Sequence, residues 1–80
     1  MLMKPVASSA LAWVGYDEGR GRLRVEFRSR AVYQYFGVPA AVHEGLWQAS
    51  SKGAYFNRVI RGRYPEGILA QREFESAGGQ

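Results

Sequence analysis

An α+β domain, a three-stranded antiparallel β-meander followed by two α-helices packed on one face, is the fold this sequence predicts. Three stretches predict it. Leu23, Val25 and Phe27 alternate with Arg22, Arg24, Glu26 and Arg28, the two-residue period of a half-buried strand. Tyr33-Gln34-Tyr35-Phe36 reads as a further strand that stops at Gly37-Val38-Pro39, where a helix can start. Ser51-Lys52-Gly53 then opens a capped helix with Tyr55, Phe56, Val59 and Ile60 on one face and cations on the other.

The elements follow in order. Ser8-Ser9 precede an apolar run, Ala10 to Val14, that closes on Gly15-Tyr16-Asp17. So Ala-rich a run permits a helix, but Trp13, Val14 and Tyr16 favour a strand, and Asp17-Glu18-Gly19-Arg20-Gly21 is turn chemistry. The alternating strand at 22–28 comes next, and Ser29-Arg30 turn the chain into the third strand, Ala31 to Phe36. Register there decides which side chains are inside. A two-residue turn would place Gln34 in the core, whereas one extra residue as a bulge places Tyr33 and Tyr35 with Leu23, Val25 and Phe27. The bulged register is favoured, because a buried Gln amide is costly to satisfy. After Pro39, Val42, Leu46 and Ala49 form a helical stripe with Trp47 on its edge. Gly62 ends the second helix, and Pro65 forbids its continuation. This assigns residues 6–64 to the domain and 65–80 to a partly disordered C-terminal extension, with Ile68-Leu69 a short apolar patch and Ser76–Gln80 expected to fray.

Eighty residues allow one domain. A chain this short buries only about 60% of its unfolded surface. With no cysteine, neither disulfides nor a thiolate metal site supplement the core. Two Trp, four Phe and five Tyr are the substitute, each able to bury roughly 150–250 Å². No signal-like run opens the chain and no window reaches a membrane span, so a cytoplasmic location is expected. The net charge is +4, unevenly spread. Residues 1–63 carry about +6, while Glu66, Glu73 and Glu75 outnumber Arg72 beyond them. A basic body suits an anionic partner, nucleic acid first, although small domains also carry such charge for solubility.

Several of these residues together resemble a known family. Ser8-Ser9, Gly15-Tyr16-Asp17, Leu23-x-Val25-x-Phe27, Tyr33-x-Tyr35, Val38-Pro39, Ser51-x-Gly53-x-Tyr55-Phe56-Asn57 and Ile60-Arg61…Tyr64 are similar in order and spacing to the KTSC domain. That family occurs at the C-terminus of some lysyl-tRNA synthetases and as small bacterial proteins. The resemblance runs from about Val6 to Tyr64 and implies an RNA-linked role by analogy of architecture. Arg30 departs from the pattern, since a glycine is usual in that turn.

No catalytic constellation stands out. The single histidine, His43, is followed by Glu44, and helical neighbours diverge by about 100°, so His43 reads as a surface residue and not a general base. The serines suit caps and turns, and no metal-ligand spacing exists. The expectation is a non-enzymatic domain with no cofactor, no metal and no small-molecule substrate. Ser51-Lys52-Gly53 offers the best single anion site, although Ser51 as a plain cap is the commoner use.

Tyr33 and Tyr35 can be stacking platforms or core, and core packing is preferred. The leading expectation is an accessory RNA-binding module that uses phosphate contacts, with Lys52, Arg58, Arg61 and Arg63 as anchors and Arg24 and Arg28 secondary. The alternative is a protein-interaction module with an exposed aromatic patch. A monomer is expected over a dimer, although a free edge strand could pair.

Overall fold

The computed structural model describes residues 1–71 of the chain. It is α+β, and its sheet has five strands, not three. They are β1 (Met3–Pro5), β2 (Leu11–Asp17), β3 (Arg22–Phe27), β4 (Ala31–Tyr35) and β5 (Glu66–Gln71), antiparallel in the order β1-β2-β3-β4-β5. The expected meander forms the middle of this sheet. β1 escapes a reading of pattern because it is three residues long and contains Pro5, which only an edge position tolerates. β5 escapes it because Gly67 interrupts its apolar alternation. Residues 66–71, read as part of an extension, therefore pair along β4, while the fraying expected for Ser76–Gln80 falls outside the described residues.

β3 and β4 pair as Leu23↔Tyr35 and Val25↔Tyr33, the bulged register. The connection is a three-residue loop, Arg28-Ser29-Arg30. The Arg30 amide donates to the Phe27 carbonyl at 2.8 Å, and Arg30 adopts φ 75°. That is a turn closed by a left-handed residue, the geometry for which glycine is the usual choice. Gln34 accordingly points to the opposite face from Leu23 and Val25. It is buried there nonetheless, with its Oε1 accepting from Arg24 Nη2 at 3.0 Å.

Between β4 and β5 the chain forms α1 (Ala40–Gln48) and α2 (Lys52–Tyr55), and α2 continues as a π-helical turn over Phe56–Ile60. Pro39 lies just before α1, and its carbonyl accepts from the Val42 amide at 3.0 Å. Ser51 caps α2 through its hydroxyl, which accepts from the Ala54 amide. The wider turn ends where the Arg61 amide donates to the Phe56 carbonyl, and Gly62 then takes φ 75°. Leu46, Phe56 and Ile60 pack on the sheet face formed by Leu11, Val14, Leu23, Val25 and Tyr35. Both helices thus cover one face of the sheet.

Candidate functional site

The basic residues expected to anchor a phosphate backbone divide among several surroundings. Arg58, Arg61 and Arg63 are exposed at the end of the second helical segment and its exit turn. Arg58 borders a groove with Gln48 and Ser51, and takes no ion pair among the described residues. Arg61 donates from Nη1 to Asn57 Oδ1 at 3.2 Å and reaches a second, aromatic cleft. Lys52 turns back on the fold: its Nζ donates to the Ala49 carbonyl at 2.9 Å, closing the end of α1, while it borders the Ser8-Ser9 turn. Arg24 lies on the sheet face away from the helices, bonded to Gln34, and its buried Nε has no hydrogen-bond acceptor. Arg28 clasps the segment before β2, donating from Nε to the Ser8 carbonyl at 3.0 Å and from Nη2 to the Val6 carbonyl at 3.1 Å. The strand and helix arginines therefore do not share one face.

The helix side holds an arrangement that sequence reading left divided. Phe27, Tyr33, Tyr35 and Phe56 form a connected aromatic cluster. Phe27 meets Tyr33 and Phe56 edge-on, with centroids 5.8 and 5.3 Å apart, and Tyr35 meets Phe56 at 5.4 Å. Tyr33 and Tyr35 lie nearly parallel at 6.4 Å. Together with Arg61 and Glu66 they line a cleft of about 270 Å³. Tyr35 is core, 2% exposed, whereas Tyr33 is only half-buried and presents part of its ring.

Glu66 is placed by β5, directly across from Tyr35. Burial first, and then the Glu66 charge, push the Tyr35 phenol well above its usual value; Arg61 pulls in the opposite direction without prevailing. The hydroxyl stays protonated. Phe27 and Phe56 were legible only as core residues, and Glu66 had no signal at all, because its position depends on an unrecognised strand.

His43 is not a plain surface residue. Its ring stacks on Tyr16 with centroids 4.4 Å apart and 16° between planes, and its Nε2 accepts from Trp47 Nε1 at 2.8 Å. The proton of neutral His43 is thereby assigned to Nδ1. Burial lowers its pKa, with Lys4 acting in the same direction and the Glu44 and Glu18 charges opposing. Tyr16 in turn donates to the Val38 carbonyl at 2.6 Å. This packed triad ties α1 to β2 and the start of α1's own loop. Among the described residues no group of three or more His, Cys, Asp or Glu is placed to hold a metal ion, and no helix is long and apolar enough to cross a membrane.

Comparison with known proteins is consistent with this geometry. A lysine–tRNA ligase of Nostoc punctiforme (strain ATCC 29133 / PCC 73102) is 41% identical over 63 residues, which cover 79% of this chain and 11% of the ligase. The chain thus spans only about a tenth of the length of the ligases it matches. An uncharacterized protein of Stutzerimonas stutzeri (strain A1501) is 46% identical over 61 residues, covering 74% of this chain and 86% of that protein. The crystal structure of a KTSC domain protein from Yersinia pestis superposes with a TM-score of 0.84 at 36% identity, over 86% of this chain and 97% of the other. The KTSC domain profile itself matches residues 7–64, and the chain belongs to the KTSC domain family.

Proposed function

We propose that this domain is a non-enzymatic accessory module that binds RNA through phosphate contacts in the cytoplasm, acting as a monomer. The observation that carries it is the exposure of Arg58, Arg61 and Arg63 at the end of the second helical segment, with Arg61 also lining the aromatic cleft. Cations that track a backbone next to rings that can stack on bases are what single-strand binding requires. The similarity to a segment of lysine–tRNA ligases supports an RNA partner. Lys52 contributes charge at the groove by the Ser8-Ser9 turn, while Arg24 and Arg28 serve the sheet more than a common interface.

Salt gives the test. Neutralising three phosphates of a single strand produces a slope of about −2 in log K against log salt. The double substitution Arg58→Glu and Arg61→Glu should abolish binding while leaving the fold intact, because both side chains are exposed. Unchanged RNA affinity in that variant would remove these anchors. A protein-interaction module is the competing reading, favoured by Ile68 and Leu69, 58% and 48% exposed on edge strand β5. Binding of that kind should hardly respond to salt.

A further inference from the structure

The aromatic cleft has a composition that phosphate binding alone does not explain. Its floor is apolar and closed: Tyr35 and Phe56 are buried, and Phe27 packs against the same core. One ring, Tyr33, is left half-exposed as a platform. Its volume of about 270 Å³ falls below the roughly 300–1,000 Å³ of sites for drug-sized ligands, which suits a single ring system. Besides the tyrosine hydroxyls, the polar side chains at the cleft are Ser29, Arg61 and Glu66, and they differ in kind. Arg61 supplies only donors, whereas Glu66 is an acceptor held opposite Tyr35 by the β4–β5 register.

A carboxylate beside a stacking surface selects among bases. Glu66 lines the cleft with an exposed side chain, so its carboxylate oxygens are open to a ligand. Guanine presents two adjacent donors, N1–H and the exocyclic N2 amino group, along its pairing edge. Adenine and cytosine present one amino group beside an unprotonated ring nitrogen, whose lone pair would face the carboxylate. Uracil presents one N–H between two carbonyl oxygens. Only guanine meets Glu66 with two parallel hydrogen bonds.

Resting on the reading of the domain as an RNA-binding module, we propose that the cleft takes one guanine base of a single strand. The base stacks on Tyr33, its N1–H and N2–H donate to Glu66, and Arg61 meets the attached phosphate.

The experiment is an amide chemical-shift titration with UUGUU, UUAUU, UUCUU and UUUUU, and separately with guanosine monophosphate. The guanine-containing oligomer should bind roughly tenfold or more tightly than the other three, with shifts at Tyr33, Tyr35 and Glu66. Glu66→Gln, a change at an exposed side chain, should bring the four oligomers to near parity while amide shifts away from the cleft stay as in the unsubstituted protein. Tyr33→Leu should reduce binding of all four through lost stacking.

Equal binding of the four oligomers, with shifts confined to the helix end, would overturn the guanine cleft and leave the phosphate module standing. Cleft shifts with guanosine monophosphate, and none with any oligomer, would leave the cleft and overturn the RNA reading. Silence from every probe would overturn both.

Discussion

Arg30 is the sharpest test of the backbone reasoning. It is exposed and sits at φ 75°, where a Cβ crowds the following carbonyl. For an L-residue that conformation costs roughly 1–2 kcal/mol. Arg30→Gly removes the cost but gives the unfolded chain more freedom, which opposes it by roughly 0.5–1 kcal/mol. The difference favours the variant by about 0.5–1 kcal/mol. In a domain of this size that corresponds to a rise in Tm of roughly 3–6 °C.

Thermal and urea unfolding measure it directly, with Arg30→Ala as the control for lost charge. Alanine keeps the Cβ and should gain nothing. If Arg30→Gly leaves Tm unchanged or lowers it, or if Arg30→Ala gains as much, the strain assigned to this loop is absent.

Three other outcomes are expected. Because burial depresses the pKa of His43 in the fold, the folded state binds fewer protons than the unfolded one. Its contribution is fully present above the unfolded value of about 6.5 and is lost as pH falls through the lower folded value. Stability should therefore fall as the pH drops below about 7, and His43→Gln should flatten that part of the profile in urea melts. Gly45→Ala gains up to roughly 1 kcal/mol in helix propensity. The new Cβ, however, would overlap the Tyr55 ring and hydroxyl, whose bond to the Val42 carbonyl joins α2 to α1. Overpacking of roughly 1–3 kcal/mol should win, giving a lower Tm. Ile60→Val, at a position 0% exposed, should cost about 1 kcal/mol and lower Tm by roughly 4–8 °C in calorimetry.

What could be read from the sequence was whatever repeats with a short period. Leu23, Val25 and Phe27 declared their strand, and keeping Gln34 off their face gave the correct register for Tyr33 and Tyr35, although Gln34 is buried on the opposite face with Arg24 as its partner. The Ser51 cap and the Gly62 stop also stand where local chemistry placed them. Edge strands lack such signals. β1 carries three residues of pattern, and β5 depends on its partner β4 for its identity. The π-helical turn was equally hidden, because Phe56 and Ile60 fall on one face at either α or π spacing. For the candidate site, the charges were visible but their directions were not. Sequence shows that Arg28 is cationic; only the fold shows it bonded to the Val6 and Ser8 carbonyls.

The place where β5 joins the sheet also separates two properties of the proposed site. The family match ends at Tyr64, and the aromatic floor, Phe27, Tyr33, Tyr35 and Phe56, lies wholly inside it. Glu66, the carboxylate of the cleft, lies two residues beyond, in a strand whose outer edge carries exposed apolar side chains. Stacking is indifferent to base identity, because every base has a π-face, whereas hydrogen bonding to an edge is not. A cleft built this way draws affinity from the shared core and selectivity from the segment after it. A change at Glu66 can then alter which base is preferred while the packing of Phe56 against Tyr35, and with it the fold, stays as it is.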